Sequence, residues 1–188
     1  MSSDRLPKYR KGDFKAGSNI YGVWRQMWVR CVDPDSNRYH NYGEKGISVC
    51  DEWRDFQKFA RWYSENAVSG WHMDKDILGG RVYSPETCVF VPREVNQMLT
   101  DNAVNRGALP IGVYFEKESG KYKAQCSYLV GSEKKSKNLG RYSNPRDAHS
   151  AYIEFKSNWI KRQAGLHCIS SGMSGKALIG LLEIGNSL

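Results

Sequence analysis

The sequence predicts an α+β protein built from two small units. One is a finger of two strands and a helix with further helices before it; the other is a three-stranded antiparallel sheet packed on one helix. Three observations carry this. Met73 to Asn96, MDKDILGGRVYSPETCVFVPREVN, reads as strand, glycine turn, strand and a helix opened by proline. Lys121 to Tyr128 alternates apolar with basic or polar side chains, the period-2 pattern of a strand with one free face. Ala148, Ala151, Tyr152, Phe155 and Trp159 recur on the 3.6-residue period of a one-faced helix.

The chain has 188 residues, room for one ordinary domain or two small ones. Its patterning divides it into a basic arm (1–17) expected to be mobile, a finger-bearing domain (18–104), a sheet-and-helix domain (105–165) and a tail (166–188). Units this small have modest cores, so no large buried active-site cavity is expected. Lys and Arg number 28 against 20 Asp and Glu. The excess is uneven: residues 1–104 hold 15 basic and 14 acidic side chains, residues 105–165 hold 12 and 5, and the tail one of each. A positive field concentrated in the sheet domain suits a phosphate backbone.

The five cysteines, Cys31, Cys50, Cys88, Cys126 and Cys168, form no CxxC pair. An odd number without a leader points to free thiols in a reducing cytoplasmic location, not to secretion. Cys31, Cys50 and Cys88 with His40 lack the close spacing of structural zinc ligands, so zinc is not expected. No apolar run reaches the ~20 residues that a membrane span needs.

From Ile20, apolar residues fall at Trp24, Met27, Trp28 and Cys31, which predicts a helix ended by Asp33-Pro34-Asp35-Ser36-Asn37. Asp51 is the expected N-cap of a second helix burying Trp53, Phe56, Phe59, Ala60 and Tyr63. The first finger strand is Met73 to Leu78, Gly79-Gly80 the turn, and Val82 to Val91 the second strand. Pro92 then opens a helix with Val95, Met98 and Leu99 inward.

In the sheet domain the expected strands are Gly112–Lys117, Lys121–Tyr128 and Ser136–Tyr142, with Asn144 capping the helix and Pro145 at its first position. Tyr122, Ala124 and Cys126 face that helix. Lys121, Lys123, Gln125 and Ser127 face away, leaving a polar, basic surface able to enter a major groove. In the tail, Met173 to Ile184 is apolar, a capping helix or a weak self-association surface.

The phrases NYGEKGISVCDEW, DKDI, YSPETCVFVP and the trailing Asn96 resemble a phage-encoded group of HNH-family endonucleases, over about residues 20–100. The resemblance implies a ββα-metal finger in which Asp74 and Asn96 hold one divalent ion. Hard oxygen donors suit Mg2+ or Mn2+. It departs from the pattern at the general base, where Lys75 stands in place of histidine. A lysine is protonated at neutral pH and has no acceptor for a proton, so it is expected to clamp a phosphate instead. His72 is the nearest substitute base, and Thr87 stands at the position that orients the base.

Gly112-Val113, Gly120-Lys121-Tyr122-Lys123-Ala124, Leu139-Gly140-x-Tyr142 and the alanine-bearing helix resemble the plant ethylene-response-factor (Apetala-type) DNA-binding domain. That domain also occurs attached to HNH nucleases in phages. Its base- and phosphate-contacting positions fall on Tyr114, Glu116, Gln125, Ser127, Ser136 and Asn138. The plant domain has mostly arginine or tryptophan there, so its target sequence does not transfer. Lys117, Lys121, Lys123, Lys135 and Lys137 are expected to supply most of the backbone attraction.

The combined expectation is a phage-type HNH endonuclease, a nickase if monomeric, that acts on double-stranded DNA in the host cytoplasm. Two other readings stand beside it. One is a regulatory DNA-binding protein on a finger that has lost catalysis; the other is a phage protein that binds and inhibits a host protein, with the apolar tail as its contact. A monomer or a weak dimer is expected.

Overall fold

The Ser18 hydroxyl accepts a hydrogen bond from the Tyr21 amide at 3.2 Å and so starts the first helix, Asn19–Val32 (α1). A computed structural model describes residues 6–99, 108–170 and 173–188. The four apolar side chains predicted to line α1, Trp24, Met27, Trp28 and Cys31, are its buried ones. Short 3-10 turns (Tyr39–Asn41, Gly43–Lys45) lead to Ser48–Val49 (β1), a 3-10 turn at Asp51–Arg54 and Phe56–Asn66 (α2). The second helix starts later than the sequence suggested. Its cap is Asp55, whose Oδ1 accepts from the Gln57 amide at 2.9 Å, and Asp51 opens the 3-10 turn instead.

The first unit, residues 1–90, centres on aromatic packing. Trp53 contributes its backbone as well as its ring: its carbonyl accepts from the indole of Trp24 at 2.7 Å and of Trp28 at 3.2 Å. Those bonds let two tryptophans be buried without an orphaned N–H. Phe56 lies against Trp24, Tyr21 and Tyr9 at ring-centroid distances of 5.2–5.8 Å.

The amino-terminal arm is docked along residues 6–17, where the sequence suggested mobility. The Gln57 amide clamps it, accepting from Phe14 N and donating to the carbonyls of Phe14 and Arg10, all at 2.9–3.0 Å.

The finger segment is more broken than expected. Its strands are Trp71–Asp74 (β2), Val82–Tyr83 (β3) and Val89–Pro92 (β4). β3 pairs in parallel with β1, Ser48 opposite Val82 and Val49 opposite Tyr83. β4, whose first two residues close the first unit, pairs with β2. Between β3 and β4 the chain turns at Ser84–Cys88 rather than continuing as one strand. Pro85 removes a ladder donor, and the Thr87 hydroxyl binds Val82 O and Ser84 N.

The second unit, residues 91–188, begins with Arg93–Leu99 (α3), buried at Val95 and Met98. Val113–Glu116 (β5), Lys121–Val130 (β6) and Glu133–Tyr142 (β7) form an antiparallel sheet in that order. Pro145–Ser170 (α4) packs on it. This is the predicted α+β layout, with a longer β6–β7 hairpin and a longer helix. Asn144 caps α4 as expected, its Oδ1 accepting from Asp147 N at 2.9 Å. Ala124 and Ala148 are fully buried between the layers with Val113. Around Leu139 the register shifts: Gln125 faces Asn138 and Ala124 faces Gly140, a β-bulge in β7. α3 packs against β6, with Met98 Sδ 4.0 Å from Cys126 Sγ.

The tail forms Gly175–Ser187 (α5), capped by Ser174 and laid against α4, where Ser157 Oγ donates to Gly185 O. It serves as a capping helix of the second unit. No helix among the described residues is long and apolar enough to cross a membrane.

Candidate nucleic-acid interface and finger site

Strand alternation sorts the sheet's side chains into two sets. On the face towards α4 lie Tyr122, Ala124 and Cys126; Tyr128 joins them, its ring 5.7 Å from Phe155 and 6.2 Å from Trp159. On the other face, register places Tyr114, Lys123 and Arg141 in one row, Glu116 opposite Lys121, Gln125 opposite Asn138, and Ser127 opposite Ser136. Tyr114 is 57 % exposed. Gln125 Nε2 donates to Ser136 Oγ at 2.7 Å, and Asn138 Oδ1 accepts from Gly140 N at 3.1 Å.

Lys135 and Lys137 belong to the opposite set. Lys135 pairs with Glu133 at 2.6 Å, and Lys137 Nζ sits 5.2 Å from the Phe155 ring centroid. Their register partners, Tyr128 and Cys126, are helix-side residues. The basic character of the outer face therefore comes from Lys121, Lys123 and Arg141. Lys117 lies in the β5–β6 turn. Arg141 did not stand out in sequence because its place on this face depends on the bulge; only the Leu139-Gly140 step, with Gly140 at φ +122°, hints at it.

Arg141 reaches diagonally across β6 to Glu116. Its Nε donates to Glu116 Oε2 at 2.6 Å and its Nη2 to Oε1 at 3.0 Å. Ser119 Oγ donates to the same carboxylate at 2.8 Å. These bonds, Arg141's first, hold the Glu116 carboxyl well below the ordinary carboxylate range, at about 2.

In the finger, Asp74 ends β2 and its Oδ1 accepts from the amides of Asp76 at 2.7 Å and Ile77 at 3.0 Å, tying down the following turn. Burial raises its pKa, while those two amides pull the other way. His72 is exposed on the same strand. Lys75 is 2 % exposed, its ammonium paired with Asp76 and 5.5 Å from the Tyr83 ring centroid. The expected phosphate clamp is thus a buried, paired cation. Thr87 fastens the Ser84–Cys88 turn.

Asn96 stands on α3, in the second unit, whereas Asp74 lies in the first. Among the described residues no three His, Cys, Asp or Glu side chains gather where a metal ion could sit. Beside the finger, Arg30 lies between the rings of Tyr42 (4.7 Å) and Tyr83 (4.8 Å). Burial lifts the thiols of Cys31 to about 11 and Cys88 to about 12.

No family model, no curated protein and no solved structure matches this chain.

Proposed function

We propose that the protein binds double-stranded DNA through the outer face of the β5–β6–β7 sheet. The observation that carries this is the sidedness of that sheet: apolar residues meet α4, while lysines, hydrogen-bonding side chains and one exposed tyrosine occupy the other face. A sheet face of this kind fits a groove, with Lys121 and Lys123 on phosphates and Gln125, Ser127, Ser136 and Asn138 available to base edges.

Metal-dependent nicking by the finger is the second reading, and Asp74 favours it. A half-buried carboxylate fixed by two backbone amides is an ordered hard-oxygen donor. A donor of this type suits Mg2+ or Mn2+, which keep several waters and take one or two carboxylates. Such an ion supplies charge neutralisation at the scissile phosphate and the leaving 3′ oxygen. In this reading His72 is the side chain offered as base, since Lys75 has no lone pair to give. The donor set is small, so binding stands ahead of cleavage.

The test is duplex affinity of the full chain across a salt series, beside plasmid nicking with Mg2+, Mn2+ or chelator. Binding that weakens steeply with salt, with the slope reduced by about one for each of Lys121→Ala and Lys123→Ala, is expected. Metal-dependent open-circle product lost in Asp74→Ala supports the nuclease reading. Intact binding without nicking leaves a DNA-binding protein, and an absence of salt-sensitive duplex binding sinks the proposal.

A further inference from the structure

An arginine on an exposed strand ordinarily keeps much of its rotamer freedom, and an isolated surface ion pair contributes little to stability. Arg141 differs in how it is held. Glu116 takes Nε–H and one Nη2–H, the side-on edge of the guanidinium, at 2.6 and 3.0 Å. The Glu116 carboxylate is itself fixed by Ser119. The arginine stem therefore lies across the middle strand, with the Lys123 and Tyr114 positions in its own register row.

A guanidinium has five N–H donors in one plane. With the side-on edge taken, the second Nη2–H and one Nη1–H remain parallel on the end-on edge, directed away from Glu116. The side chain is 49 % exposed even with its side-on edge taken. Two parallel donors at that spacing match the O6 and N7 acceptors that guanine shows in the major groove and no other base shows.

Resting on the DNA-binding reading above, we propose that Arg141, buttressed by Glu116, is the residue that selects a guanine in the bound duplex. Glu116 is then a positioning residue: it touches no base but pre-orders the fork, removing an entropic cost from binding. This also accounts for a carboxylate on a surface that otherwise favours phosphate. Lysine is a poorer substitute, because an ammonium has no planar pair of donors and no second edge for Glu116 to hold.

The experiment is selection from a randomised duplex pool by the full chain, by Arg141→Lys and by Glu116→Gln, followed by affinity measurements on the selected site. The wild type is expected to enrich guanine at one fixed position. Arg141→Lys should lose that preference, with a roughly 5- to 100-fold drop in affinity for the selected site. Because the charge is kept, affinity for random duplex should fall by a smaller factor than affinity for the selected site, so the ratio between the two is the readout. Glu116→Gln should weaken the preference by a smaller factor.

Replacing that guanine with 7-deazaguanine, which lacks the N7 acceptor, should weaken the wild type by a larger factor than it weakens Arg141→Lys. A selected site that Arg141→Lys binds as the wild type does overturns the inference while DNA binding stands. Loss of salt-sensitive duplex binding by the wild type overturns both.

Discussion

The ring of Tyr152 packs against the α carbon of Gly112 so closely that a Cβ there would lie 2.1 Å from its Cδ2. Gly112 also has φ +77°, in the left-handed region that side chains other than glycine's rarely adopt. Tyr152 is buried on α4, so the contact fixes how β5 is approached from the helix.

Gly112→Ala is expected to destabilise the second unit by about 2–4 kcal/mol, from strain and displacement of the ring together. Tyr152→Ala removes the obstruction but opens a void, so the double variant should cost less than the sum of the singles. Urea denaturation followed by near-UV circular dichroism measures both; strict additivity would contradict the contact.

Lys75 offers a different expectation. Its ammonium is buried and its carboxylate partner Asp76 is 73 % exposed. Lys75→Met keeps the aliphatic stem and removes a charge that is costly to desolvate, so stability should hold or rise by about 1–3 kcal/mol. Asp76→Asn leaves the ammonium without its counter-charge and should cost roughly 1–3 kcal/mol, below the cost for a fully buried pair because solvent reaches Asp76. Thermal melts at neutral pH decide the signs. A large loss in Lys75→Met would show that the ammonium itself organises the finger.

Glu116 predicts a pH dependence. Its pKa is lowered from 4.5 to about 2 in the fold, first by Arg141 and then by Ser119. A depressed carboxylate adds stability above its unfolded pKa and loses it as pH falls through the folded one. The contribution is therefore whole at pH 6 and disappears between about 4.5 and 2. It is small because the pair is exposed. In urea titrations, the gap between wild type and Glu116→Gln should narrow over that window. A gap that stays constant down to pH 2.5 would show that the fork is not formed in solution.

What sequence made legible depended on the range of the interactions. The stripe of α1, the alternation of β6 and the alanine-bearing face of α4 emerge from periods and caps, which act within a few residues. The docking of the arm was not legible, because Gln57 lies 43 residues from Phe14. The Val82–Val91 strand misled: its β-branched and aromatic residues suggest one run, but the Thr87 hydroxyl gives the backbone at Val82 and Ser84 local partners that end it. The charge of Lys75 drew the reading outward, towards a phosphate, while the fold turns that position inward and pairs it with Asp76. The Glu116–Arg141 fork needs the register of three strands at once, which no local pattern encodes.

The bulge at Leu139 settles a question of odd and even. In an unbroken strand, positions 138 and 141 fall on opposite faces, because three is an odd count. The extra residue restores the parity, so Asn138 and Arg141 look out together. Pairing the same residues without the bulge would keep every donor in the sequence yet turn Arg141 in towards the helix. For this surface, how the strand is paired matters as much as the identity of its residues.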